Sequence, residues 1–385
     1  MDANPAENPA SGEVPVVSVI VPARNEEACL GECLRSLQEQ TGIDHEVIVV
    51  NDNSTDRTGD IARSYGGMKV IDAAPLPPGW TGKCHAAHVG AQAALGEWLL
   101  FTDADTIHRH RSLRHAVQEA ENNSVDMLSY SPKQEVRGLW ERALMPVIFA
   151  ELRRQYPPRE VSRADSPIAA ANGQYLLIKR AAYDAIGGHV AVRDSLLEDV
   201  EIAKRLKQSG RKIRFRYGRD ALRTRMYRTF PQMWEGWTKN LALLFPSPGK
   251  LAALRTLEFL ASFLGLLAVA FGVLWQLGIL ERAGLAPVPR AALLPFPYWV
   301  AIAGALVSFP VTFNFFYRIR KAHFGWINTL ISPAGLPIFV LLLLNSRLHY
   351  HNNEVTWKGR EYQPASKIDV PPVAQKESKA TVSSR

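Results

Sequence analysis

The chain has 385 residues, 47% of them apolar, and 45 Lys and Arg against 37 Asp and Glu leave a formal net charge of +8. Its three cysteines, Cys29, Cys33 and Cys84, are too few and too irregularly spaced for a disulfide framework or a zinc site, and no nucleic-acid-binding motif accompanies the basic excess. Secreted disulfide scaffolds, zinc proteins and nucleic-acid binders are thereby set aside. The apolar residues are uneven: the first part of the chain has the make-up of a soluble α/β protein, and the stretch after residue 240 is far more hydrophobic.

Met1 to Glu13 is polar and acidic, contains proline and lacks an apolar core segment, so residues 1–14 read as a disordered leader and not a signal peptide. Val16 to Val21 is a continuous apolar run, the pattern of a strand covered on both faces. Pro22 to Glu27 then turns into an amphipathic helix with Leu30, Cys33, Leu34 and Leu37 inward. A second buried strand, Val47 to Val50, ends in the polar loop Asn51 to Thr58, which offers N-cap residues to a helix through Ile61. A third strand covers Met68 to Ile71, and the loop Pro75 to Lys83 opens a small-residue helix that ends near Ala94. The strand Leu99 to Phe101 follows. This alternation predicts an α/β fold with a doubly wound, mainly parallel sheet.

That last strand runs into Thr102-Asp103-Ala104-Asp105. Residues i and i+2 of an extended chain point the same way, so Asp103 and Asp105 can converge on one hard cation, Mg²⁺ or Mn²⁺, that also binds phosphate oxygens. The competing reading makes them turn and N-cap residues. Lys83 follows a tight Thr81-Gly82 turn at a helix start, a combination suited to a nucleotide or diphosphate. Three strand ends carry polar loops: Arg24-Asn25-Glu26, Asp52, and Asp103 with Asp105. Parallel strands put these on one edge, so they describe a single crevice.

Ser131 to Ala170 reads as irregular, apart from Leu139 to Ala150, which fits either a membrane-interface helix or a buried one. Tyr175 to Ile178 is a strand. A loop after Gly187-Gly188 leads to a helix over Val200 to Ser209, with Glu198 and Asp199 at its start, where the helix dipole favours carboxylates and keeps their pKa low. Basic residues crowd from Arg211 to Arg228, a patch suited to anionic headgroups or a polyprenyl phosphate. Thr256 to Leu280, Phe296 to Tyr317 and Trp326 to Asn345 are each long enough to cross about 30 Å of hydrocarbon. Arg318 to Lys321 should be cytosolic. Parity then sends the C-terminus outside, whereas the basic residues around Trp357 to Tyr362 prefer the cytosol; a re-entrant Pro333/Pro337 segment would reconcile the two.

The motifs P-A-R-N-E-E (22–27), N-D-N-S-T-D-R-T (51–58), G-K-C-H-A (82–86), T-D-A-D (102–105), Asn172-Gly173-Gln174, Gly187-Gly188 and Leu197 to Ala203 occur in an order that resembles the family 2 glycosyltransferases of GT-A fold. The resemblance spans roughly residues 16 to 240. It implies that Ala23, Arg24, Asn25, Glu26 and Asp52 hold the base and ribose of a nucleotide-sugar, whose binding site also takes in Lys83 and Asp103. It also implies metal on Asp103 and Asp105, an acceptor side at Gly173 and Gln174, and Asp199 as catalytic base supported by Glu198. The sequence departs from the family pattern twice. Asn51 stands where a second acid is usual, and Gln232 to Trp237 has no arginine in the register of the processive Q-x-x-R-W block, which points to single addition. The expected division is a GT-A domain over 15–240, a membrane region over 241–345 with about three transmembrane helices, and a basic polar tail over 346–385. The implied protein is a multi-pass inner-membrane enzyme with a cytosolic catalytic domain. It would move a sugar, with inversion, from a nucleotide-diphosphate sugar to a lipid-borne acceptor, closest in character to hopanoid- and carotenoid-associated members. A polyprenyl-phosphate sugar synthase and a non-catalytic nucleotide-sugar-binding membrane protein are the alternatives.

Overall fold

Runs of Val and Ile without polar alternation build the centre of the fold. The computed structural model describes residues 16–277, 279–282, 296–352 and 354–362; the expected leader lies outside them. Strand β1 (Val17–Ala23) leads to helix α1 (Leu30–Gln38), β2 (His45–Asn51) to α2 (Thr58–Ser64), and β3 (Lys69–Asp72) to α3 (Gly82–Ala93), ahead of β4 (Trp98–Phe101). Then come β5 (Thr106–His108), α4 (Ser112–Asn122), β6 (Met127–Ser131), β7 (Lys133–Gln134), α5 (Leu139–Gln155) and α6 (Pro158–Ser162). The domain closes with β8 (Leu176–Lys179), α7 (Arg180–Ala185), α8 (Glu198–Gln208), β9 (Ile213–Tyr217), β10 (Leu222–Thr224) and α9 (Phe230–Leu244).

The main sheet has seven strands in the order β3-β2-β1-β4-β8-β6-β9, with β8 antiparallel to both neighbours and the other pairs parallel. Successive side chains of β1 alternate between two cores. Val17, Val19 and Val21 join Leu30, Leu34 and Leu37 of α1, while Ile20 joins Ile48, Leu99 and the small residues Ala86, Ala87 and Ala91 of α3. A small sheet, β5-β10-β7, lies beside the carboxyl end of β4.

One open alternative is decided here and one expectation fails. The segment Leu139 to Ala150 lies in the 17-residue helix α5, which runs on to Gln155 and holds Pro146 inside it. Ala143 to Ile148 are all buried consecutively, so α5 shows no apolar stripe for a periodicity argument to find. It is a buried helix. The Arg211–Arg228 run is not an open basic patch. Arg214 and Arg216 share Glu119, Arg211 meets Asp126, Arg223 meets Glu135 and Arg225 meets Glu141. Acids distant in sequence neutralise it from adjoining elements.

Helices α10 (Pro248–Gln276) and α11 (Phe296–Lys321) pack antiparallel: Gly265 lies against Gly304 and Ser308, and Glu258 meets Arg318. Small residues at that crossing let the backbones approach closely. Helix α12 (Trp326–Ile331), a 3₁₀ turn at Ser332–Ala334 and α13 (Gly335–Asn352) follow. Pro248–Trp275, Trp299–Lys321 and Trp326–Asn352 are long and apolar enough to cross a membrane. The third differs from the other two, with 39% of its apolar window buried against 17% in each of them. Helix α13 is stitched to α9 by Ser346 Oγ, which donates to Thr238 O, and by Tyr350 OH, which donates to Lys239 O at 2.7 Å. Gly335 comes so close to α5 that a Cβ there would sit 2.1 Å from Ala143 O. The expected start of a tail at residue 346 falls inside α13. Beyond it, β11 (Val355–Trp357) and β12 (Arg360–Tyr362) form an antiparallel hairpin that lies on the GT-A side of the molecule.

Candidate active site

The carboxyl ends of β1, β2 and β4 open into a cleft of about 570 Å³. All the residues singled out from the sequence line it: Ala23, Arg24, Asn25, Glu26, Asp52, Lys83, Asp103, Asp105, Gly173, Gln174, Glu198 and Asp199. Several of them spend their polar groups on shaping the cleft. Arg24 Nη1 donates to Asp52 O at 2.8 Å and to Asn53 O at 3.1 Å, tying the first two loops together. Asn25 Oδ1 accepts from Thr55 N at 2.9 Å, with the Asn25 backbone in the left-handed region at φ 51°. Gln174 is buried, and its amide donates to Thr224 Oγ1 at 3.3 Å, so it braces the small sheet. Asn51, the departure from the family pattern, donates to Asp72 Oδ1 at 2.8 Å and accepts from Ser54 N, a loop-forming role. Gln232 caps α9: its Oε1 accepts from Thr229 N while Thr229 Oγ1 accepts from Gln232 N.

The charged centre is built around Lys83, one residue inside α3, whose N-cap Thr81 accepts from Cys84 N. Lys83 Nζ lies 2.7 Å from Asp103 Oδ1 and 2.9 Å from Glu198 Oε1. Burial disfavours its charge, but Asp103, Glu198 and Asp199 outweigh that and hold the ammonium well above its ordinary range. Asp199 Oδ2 accepts from Gly173 N at 2.7 Å and its Oδ1 from Val200 N at 2.8 Å. The helix start was expected to keep the Asp199 carboxyl acidic. Instead burial, followed by the neighbouring Glu198 charge, raises it despite Lys83 and the two backbone donors.

Asp105 has no cation within ion-pairing distance among the described residues; burial, then Asp103, then Glu26 push its carboxyl upward. Hard oxygen donors held together against their own repulsion fit a divalent cation. Among the described residues no cluster of three His, Cys, Asp or Glu side chains could hold a metal. Asp103 and Asp105 therefore suit an ion that completes its shell with phosphate oxygens and water, the habit of Mg²⁺ and Mn²⁺.

Sequence reasoning missed one wall of this cleft. Lys239 of α9 and Trp357, Lys358, Arg360 and Tyr362 of the hairpin also line it. Arg360 grips Asp52, with Nη1 to Oδ2 at 2.5 Å and Nη2 to Oδ1 at 3.0 Å. The signal was present: Val-Thr-Trp, a Lys-Gly pair and Arg-Glu-Tyr form a two-residue hairpin pattern. Its position after the apolar helices made it read as a tail.

The family model described as "Glycosyl transferase family 2" matches residues 18–187, the stretch that carries β1 to β4 and Gly173. The 4,4'-diaponeurosporenoate glycosyltransferase of Staphylococcus haemolyticus is 28% identical over 355 residues, covering 90% of this chain and 88% of that protein. Residues 18–187 thus carry a family 2 glycosyltransferase domain. The Staphylococcus aureus protein of the same name is 27% identical over the same shares of both chains. Among solved structures, a mannosyltransferase from Pyrobaculum calidifontis in complex with GDP-Man and Mn²⁺ aligns with a TM-score of 0.50 and 19% identity, over 88% of this chain and 87% of that one. That likeness concerns the fold. The glycosyltransferase thus has a GT-A-like mixed sheet followed by apolar helices.

Proposed function

We propose that this glycosyltransferase moves one sugar, with inversion, from a nucleotide-diphosphate sugar to the polar end of an apolar, carotenoid-like lipid at the inner membrane. The observation that carries the acceptor reading is the wall of the cleft opposite the strand ends. Phe149 and Leu152 of α5 and Trp237 and Leu244 of α9 line it, and these helices pack on their other sides against the apolar helices. An apolar acceptor can reach the charged centre there without crossing water. The Staphylococcus relatives, named for a polyene acid, support the same class.

In this reading Asp52 and the β1 loop hold the nucleoside end, and Lys83 faces the diphosphate from the start of α3. Asp199, held by Gly173 N, accepts the acceptor's proton as its oxygen attacks the anomeric carbon from the face opposite the diphosphate. The bond to the diphosphate breaks, and the leaving group departs with the electron pair. Asp103 and Asp105 would hold Mg²⁺ or Mn²⁺, whose chemistry when bound is Lewis-acid neutralisation of the departing charge. Glu198 keeps Lys83 in place.

The same reading gives a topology. Helices α10 and α11 cross as a pair, and α12–α13 re-enters as an arm without crossing, so the hairpin returns to the cytosolic face of the catalytic domain. Contacts of α13 with α9 and of Gly335 with α5 support this. The experiment is incubation of membranes with labelled UDP- and GDP-sugars and identification of the labelled lipid. Label in a polyprenyl phosphate in place of a carotenoid-like lipid would overturn the acceptor class.

A further inference from the structure

The hairpin lies about 300 residues in sequence from the loops it touches, and nothing in the chemistry above requires it. Its two turn residues, Lys358 at φ 48° and Gly359 at φ 74°, make a tight turn of the primed type, which fixes the two flanking strands rigidly. Val355 is buried, and the Trp357 ring lies 4.9 Å from Lys239 Nζ, which anchors the base of the hairpin on α9. The tip then touches three separate loops of the cleft. Lys358 Nζ donates to Arg24 O at 2.9 Å and pairs with Glu26 after β1. Arg360 forks onto Asp52 after β2. The start of α3 is cut away to admit it: a Cβ on Gly82 would sit 1.9 Å from Arg360 Nη1 and 2.6 Å from Asp52 Oδ2.

We propose that this hairpin is a permanent wall of the donor site, and that Arg360 is a positioning residue that orients Asp52 toward a nucleoside diphosphate. The proposal rests on the reading of the cleft as a nucleotide-sugar site. The same contacts could belong to a plug that the donor must expel, and the energetics decide between the two. The Arg360 and Asp52 side chains are 17% and 5% exposed. Separating a charged fork at that depth leaves two uncompensated charges, more than a neutral hydroxyl or N–H of a nucleoside can offset. Retaining the fork costs the donor nothing. A carboxylate offers about four lone-pair sites, and the guanidinium uses two of them.

The test is calorimetric affinity for UDP and GDP in the purified full chain, for wild type, Arg360→Ala, Arg360→Lys, Asp52→Asn and the Arg360→Ala/Asp52→Asn double variant. Arg360→Ala should weaken the diphosphate that wild type binds by about 10-fold or more, in line with loss of a charge-assisted fork. Arg360→Lys, which keeps the charge but loses the fork, should recover part of that loss. Donor KM should rise with kcat nearly unchanged at saturating donor. In the Asp52→Asn background, Arg360→Ala should add little, because it acts through that carboxylate. Unchanged or tighter binding by Arg360→Ala, or an equal loss in the Asp52→Asn background, overturns the wall. A wild-type chain that binds neither UDP nor GDP overturns the donor reading, and the wall with it.

Discussion

The cleft around Lys83 and the junction around Arg318 both gather opposite charges, but their balances differ. At the junction, Glu151 of α5 and Glu258 of α10 each meet both Arg255 and Arg318, so two acids and two arginines close an alternating ring. The ring fastens the apolar helix pair to the catalytic domain. In the cleft, Asp103 and Glu198 share Lys83, while Asp105 and Asp199 have no ion-pair partner among the described residues. The balanced ring has no spare capacity, and its role is attachment. The cleft has an excess of carboxylates, and its unspent capacity is what a metal ion and a proton can use.

Substitutions in the two regions should therefore fail in different ways. The largest loss is expected for Asp103→Asn and Asp105→Asn: transfer from a labelled donor should fall by more than about 10³-fold, since metal neutralisation of the leaving group is worth several kcal/mol. Melting temperature should hold. Near-normal turnover of either variant, or full activity in excess EDTA, would remove the metal from the mechanism.

Asp199→Asn should reduce single-turnover transfer by on the order of 10²–10⁴-fold while leaving nucleotide affinity intact, the usual worth of a positioned base. Glu198→Gln should do less to the chemistry, although freeing Lys83 from one partner should alter donor binding. The assignment moves by one residue if the order of the two effects is reversed.

Glu151→Ala tests the other side of the comparison. It leaves Arg255 and Arg318 each short of a carboxylate at a buried junction, and a loss of about 3–5 kcal/mol in stability is expected. Urea or thermal unfolding should show it, and activity per folded molecule should stay close to wild type. A stable but inactive variant would mean that the junction does more than attach.

The smallest effect is a pH profile. The Asp199 carboxyl is raised to about 6, by burial first and then by Glu198. A base works ionised, so kcat/KM should rise with pH up to about that value and level off above it, about tenfold per unit on the acid side. Asp199→Asn should lack that limb; a limb that persists belongs to another group.

The sequence by itself determined the strand–helix alternation, the strand ends that carry Arg24, Asp52, Asp103 and Asp105, and the positions of the long apolar helices. Each of these is a local property: a period, a cap or a run of apolar residues. Where the same local signals were mute or misleading, partners remote in sequence decided. The choice between an interface and a buried helix at Leu139 to Ala150 stayed open because α5 is apolar along consecutive residues with a proline inside, and the Arg211–Arg228 run looked like a surface patch because Glu119, Asp126, Glu135 and Glu141 lie 84 to 97 residues away. Asp199 was expected to be acidic from its place at a helix start, but a dipole effect confined to one turn is smaller than the cost of burying a carboxylate beside Glu198. The return of the chain to its own donor cleft is the clearest case. Val355 to Tyr362 form a hairpin from their own sequence, but that Arg360 rests on Asp52 follows only from the packing of α13 against α9 and α5, an interaction that no local pattern encodes.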